Sequence, residues 1–95
     1  MPALKVTVYY LAQLKQAAGR AAEEVEVAAG GSLLDLIQGL ADRHSDGLRR
    51  LLFAADGSVQ PTILFFVGDR QVRQPAGQPL HDGDAITLLS PIAGG

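Results

Sequence analysis

Few groups in this 95-residue sequence could do covalent chemistry, and most of them lack the neighbours that chemistry needs. There is no cysteine, which removes disulfides, thiolate ligands and thiol nucleophiles together. His44 and His81 are the two imidazoles, and no carboxylate cluster at ligand spacing accompanies either, so no metal site is expected. Ser32, Ser45, Ser58 and Ser90 have no visible base with an orienting partner, so nucleophilic catalysis has no support. Asp82-Gly83-Asp84 lacks the further oxygen ligands of a calcium loop and reads as an Asx-type turn. Gly30-Gly31-Ser32 has neither the lysine nor the spacing of a phosphate loop, and reads as a helix-capping segment. The residues do not describe an enzyme.

What remains is the run Ser90-Pro91-Ile92-Ala93-Gly94-Gly95. A free carboxylate on Gly95 would sit at the tip of a tail without side chains at its last two positions. Glycine has no Cβ, so such a tip can thread a channel too narrow for any other residue. Pro91 cannot continue a strand ladder and would release the tail from the sheet. A carboxyl terminus ionises near pH 3.3–3.7, roughly, and is unreactive at neutral pH until another enzyme activates it.

Composition narrows the partners. Hydrophobic residues make up 47% and charged residues 19%, the balance of one small globular domain. Eight basic and ten acidic side chains give a formal charge of −2 without a Lys/Arg cluster, so nucleic acid is not an expected partner. No apolar run reaches the roughly 20 residues of a membrane span, and Met1-Pro2-Ala3-Leu4-Lys5 lacks signal-peptide features. A cytoplasmic location is expected, with no membrane partner and no cofactor.

The elements that must carry the tail follow from hydrophobic periodicity. Leu4–Leu11 reads as a strand with Val6, Val8 and Tyr10 on one face. Ala12–Ala18 reads as a helical turn ended by Gly19, and Glu23–Ala28 alternates as a half-buried strand. Ser32 with Asp35 marks a helix start, and Leu33, Leu36, Ile37, Leu40 and Ala41 form one apolar stripe. That helix should end near His44, where an imidazole meets the helix dipole favourably; Leu48–Phe53 suggests a second, shorter helical segment. Thr62–Val67, an unbroken apolar run, is predicted to be the most buried strand. A Gly68-Asp69 turn, a short edge strand at Gln71-Val72, a Gln74–Pro79 loop and a final strand Ala85–Leu89 complete the chain. This order predicts an α+β, β-grasp (ubiquitin-like) fold. Its mixed sheet has about five strands, with the first and last as central neighbours and one main helix across one face. The expected division is a domain over residues 1–90 and a flexible Gly-Gly tail over 91–95.

Tyr9-Tyr10 and Phe65-Phe66 are consecutive aromatic pairs, so each sends one ring to each side of the sheet. On the face without the helix, Phe66, Leu89 and Tyr9 (or Tyr10) are candidates for a patch that binds a protein partner. If Phe66 faces the core, Phe65 takes its place.

With this strand order, the Gly-Asp turn, the Asp-Gly-Asp lead-in to the last strand and the Pro-Ile-Ala-Gly-Gly end, the chain resembles the MoaD/ThiS family of ubiquitin-like sulfur carriers. The resemblance covers essentially the whole chain, and its specific part is residues 81–95. The molybdopterin synthase small subunit typically ends in Phe-Pro-Pro-Val-Ala-Gly-Gly. Here Pro91, Ala93, Gly94 and Gly95 match, Ile92 stands for Val, and Leu89 and Ser90 replace the Phe and the first Pro.

The resemblance implies an E1-like, ATP-dependent activating enzyme that adenylates Gly95. Sulfide from an external donor then displaces AMP and leaves a thiocarboxylate. It also implies an acceptor, either the molybdopterin synthase large subunit or another sulfur-accepting enzyme. A sulfur carrier for cysteine biosynthesis or tRNA thiolation, and a ubiquitin-like modifier joined to lysines through Gly95, are the alternative expectations. Lys5 and Lys15 are the only lysines, which argues against polymeric tagging on this chain.

Overall fold

The computed structural model describes residues 3–44 and 46–90. Five strands and three helices follow in the order β1 (Ala3–Leu11), α1 (Gln13–Ala18), β2 (Ala22–Ala28), α2 (Leu33–Arg43), α3 (Asp46–Leu52), β3 (Leu64–Val67), β4 (Arg70–Val72) and β5 (Ala85–Leu89). A short 3₁₀ turn, Pro75–Gly77, lies in the loop before β5.

The sheet order is β2-β1-β5-β3-β4. β1 and β5 are parallel central neighbours, and every other pair is antiparallel. Because β1 and β5 run the same way, their C-terminal ends finish side by side, with Leu11 opposite Leu89. β3 starts at that same end, with Leu64 opposite Leu89. The chain therefore leaves β5 from the middle of the sheet towards residues 91–95, which lie outside the described residues. This is the β-grasp arrangement that the element order predicts.

Local chemistry explains the helix that covers the sheet. The Ser32 hydroxyl accepts from the Asp35 amide at 3.2 Å, and the Asp35 carboxylate accepts from the Ser32 amide at 3.0 Å, a complete capping box. The stripe Leu33, Leu36, Ile37, Leu40 and Ala41 is buried, and its Leu and Ile side chains share one core with Val6, Val8, Tyr10, Ile86 and Leu88 of the two central strands. The approach is close at the start of α2: a Cβ on Gly31 would lie 2.8 Å from Val27 Cγ1, so only glycine fits there. Gly68, at φ 61, supplies the first corner of the two-residue β3–β4 hairpin. Among the described residues, no helix is long and apolar enough to cross a membrane.

Two expectations need correction. The apolar run from Thr62 forms a strand only over Leu64–Val67, and it is not the most buried element. Phe65 is 3% exposed, but Leu64, Phe66 and Val67 are only half-buried. Alternation still operates in this run: its second set of apolar residues faces the uncovered side of the sheet rather than a second helical layer. The short helix predicted over Leu48–Phe53 instead spans Asp46–Leu52, and Phe53 forms an isolated bridge with Val59.

Candidate functional site

The helix-free face is divided along its length. Near the Asp82-Gly83-Asp84 turn it is polar, with Lys5 opposite Glu26 and Thr7 opposite Glu24. The turn spends both carboxylates on backbone: Asp82 Oδ1 accepts from the Lys5 amide and Asp84 Oδ2 from the His81 amide, each at 2.8 Å. Near the end from which the chain leaves, the face turns apolar. Strand register aligns Tyr9, Thr87 and Phe66 in one row and Leu11, Leu89 and Leu64 in the next. Tyr9 is 42% and Leu11 43% exposed, and Phe66, Leu89 and Leu64 are half-buried.

The structure thus places Phe66, Tyr9 and Leu89 together on one face, beside the exit of the chain. Tyr10 and Phe65 are the core-facing members of their pairs. Leu11 and Leu64 join the patch, and sequence reasoning missed both. The parity of each strand carried the signal, since they lie two residues from Tyr9 and Phe66. Pro91, Ile92, Ala93, Gly94 and Gly95 lie outside the described residues.

Behind this patch, on the helix side, lies a polar cluster that sequence reasoning also missed. Glu23, at the start of β2, points inward and its side chain is 5% exposed. Its Oε2 accepts from the Tyr10 hydroxyl at 2.5 Å and lies 2.6 Å from His44 Nε2. Arg43 and Arg20 stand farther out, at 3.7 and 3.9 Å from Oε1. Burial, the largest single influence, pushes the Glu23 carboxyl up. The hydrogen bonds from Tyr10 and His44, with the charges of His44 and Arg43, outweigh it and hold the carboxyl below its ordinary range. Burial, followed by the bond to Glu23 and its negative charge, pushes the Tyr10 phenol far above its ordinary range. His44 does stand at the C-cap of α2, as the sequence suggests, but its ring is turned to Glu23 and meets Tyr10 edge-on.

A separate concavity lies on the helix layer, lined by Gln38, Asp42, Arg49, Arg50 and Phe53. Its Arg49–Asp42 ion pair, 2.7 Å long, is solvent-exposed, and the lining brings together no nucleophile with a base.

A sequence model of the ThiS family matches residues 8–95. The chain belongs to the ThiS family. Over 92 residues it is 26% identical to a molybdopterin synthase sulfur carrier subunit from Chlamydomonas reinhardtii, covering 97% of this chain and all of that protein. A putative molybdopterin converting factor subunit 1 from Pyrococcus furiosus superposes with TM-score 0.75 at 29% identity, covering 94% of this chain and 99% of that one. SAMP1 from Haloferax volcanii superposes with TM-score 0.86, covering 96% and 99% of the two chains; at 23% identity this likeness shows the fold. The ubiquitin-like β-grasp fold of this chain is therefore shared with the Pyrococcus furiosus and Haloferax volcanii proteins.

Proposed function

We propose that the protein is a sulfur carrier whose working group is the Gly95 carboxylate, and that it serves molybdopterin synthesis as the small subunit of molybdopterin synthase. The observation that carries this reading is the register of β1, β5 and β3. It gathers Tyr9, Leu11, Leu64, Phe66 and Leu89 at the end of the sheet from which the chain continues to Gly94-Gly95. A partner that seats on this patch receives the tail at the same time. The relative from Chlamydomonas reinhardtii, aligned over nearly the whole chain, supports the choice of pathway.

The chemistry balances without a catalytic group from this chain. An E1-like activating enzyme joins the Gly95 carboxylate to the α-phosphorus of ATP, releasing pyrophosphate and leaving an acyl-adenylate. Sulfide attacks the acyl carbon, AMP departs with the bridging oxygen, and Gly95 carries a thiocarboxylate. The large subunit then accepts that sulfur. The lack of cysteine suits this route, because an internal thiol would attack the acyl-adenylate.

Intact mass of the protein isolated from its native host tests the carrier reading. The expected result is a fraction heavier by the exchange of one oxygen for sulfur, localised to Gly95. A chain extended by one alanine after Gly95 should not be adenylated, and normal adenylation of that extended chain would overturn the proposal. Reconstitution with molybdopterin synthase large subunit separates this pathway from the other acceptors.

A further inference from the structure

The cluster around Glu23 takes no part in the sulfur chemistry above, yet it is built against the strand end that carries the patch. Of the three carboxylates on β2, Glu24 and Glu26 are exposed and Glu23 alone is turned inward. A buried carboxylate is costly unless its oxygens are satisfied, and an apolar residue would pack there at less cost. The groups that satisfy it come from three places: Tyr10 from the end of β1, His44 and Arg43 from the end of α2, and Arg20 from the α1–β2 connection. Among the described residues no other cation lies within 4.0 Å of Glu23.

Tyr10 is the link to the patch. Its neighbours Tyr9 and Leu11 project to the opposite face of the sheet, so fixing the Tyr10 ring fixes the pleat from which both project. The next residue, Ala12, holds φ 57 and ψ −130, and is the only non-glycine residue at positive φ among those described. Such a conformation persists only where its surroundings impose it. α1 starts there without a side-chain cap, so the restraint comes from elsewhere.

We propose that Glu23 is a positioning residue for the docking patch: through Tyr10 and His44 its carboxylate holds the C-terminal end of β1, so that Tyr9 and Leu11 are presented in place beside the tail. The proposal rests on the docking role given to the patch above. A surface ordered in advance spares its partner the entropy of ordering it.

Glu23→Gln in the full chain, with Tyr10→Phe as a second variant, tests this. Amide exchange read by NMR near neutral pH should speed up about tenfold or more over residues 9–12, while Ile37 in the middle of α2 keeps its protection. In the wild type, protection over residues 9–12 should fall as pH drops below 4.5, the ordinary Glu23 value, and the Glu23→Gln variant should lack that step. With the E1-like enzyme of the same organism, KM for the carrier should rise about tenfold with kcat within twofold, the signature of weakened docking. Unchanged exchange over residues 9–12 in both variants, or equal loss at Ile37, overturns the proposal. If Glu23→Gln does not fold, Tyr10→Phe, which removes one hydroxyl, decides by the same exchange pattern. If the wild type itself is not adenylated, the carrier reading fails, and the exchange pattern still decides whether Glu23 holds the strand end.

Discussion

Two carboxyl groups have opposite tasks in this chain. That of Glu23 is enclosed, hydrogen-bonded and permanently ionised at neutral pH, so it is inert. That of Gly95, in the proposed function, becomes useful only when an enzyme converts it with ATP into the mixed anhydride with AMP. In the same proposal, the glycine before it sets access. A tunnel that admits backbone but no Cβ should reject Gly94→Ala, and displacing the reacting carbon by about 1 Å costs on the order of 100-fold in rate. Because the change lies beyond β5, the Gly94→Ala protein should melt like the parent while its adenylation or sulfur transfer falls by about that factor. Equal melting with equal transfer would remove the tunnel. The Gly-Gly end was legible in the sequence because it needs no partner to be recognised. Glu23 was not, because its hydrogen-bond partners lie 13 and 21 residues away and nothing local marks it.

At the scale of elements, β3 and the β1–α1 corner make separable predictions. Phe65 fills the core and Phe66 the open face, although the two are adjacent and chemically identical. Phe65→Ala should destabilise the fold by about 3–5 kcal/mol, read by denaturant unfolding. Phe66→Ala should leave most of the stability and weaken binding to the activating enzyme by about 2 kcal/mol, roughly 30-fold, read by calorimetry. A Phe66→Ala protein that unfolds but binds normally would reverse the assignment. At the corner, Ala12 bears strain that glycine would not. Relief of about 1–2 kcal/mol competes with about 0.4–1 kcal/mol of extra unfolded-chain entropy, so Ala12→Gly should stabilise slightly and raise Tm by a few degrees. A lower Tm would show that the strain is absent. The strand parity and the capping box of α2 were both readable from sequence, since each depends on residues within four positions of one another.

For the molecule as a whole, the Glu23 cluster ties β1, β2 and α2 together and makes global stability depend on acid. The folded state holds the Glu23 carboxyl below its ordinary value of 4.5, so the unfolded chain takes up that proton first as pH falls. The stabilisation is therefore fully present above about pH 4.5 and is lost as pH drops through the folded-state value. Chemical unfolding measured from pH 7 to pH 3 should show the wild type losing stability faster than Glu23→Gln below that point, with Glu23→Gln the less stable at pH 7. Parallel curves would mean that the carboxylate contributes nothing.

The sequence alone determined the type and order of the elements and where the main turns fall, while the bounds of β3 and α3 came from the structure. Periodicity, capping residues and turn chemistry act over a few neighbours, and the element order left one arrangement, with β1 and β5 paired at the centre of the sheet. Only the tertiary structure decided which ring of each aromatic pair meets the helix, and that Leu11 and Leu64 complete the patch. It also decided that Glu23 is drawn inward beneath that patch while Glu24 turns to solvent. Those outcomes depend on which face α2 covers and on groups brought together from distant parts of the chain. The energy that selects them, burial of apolar surface and pairing of a buried charge, exists only once the sheet and helix have met.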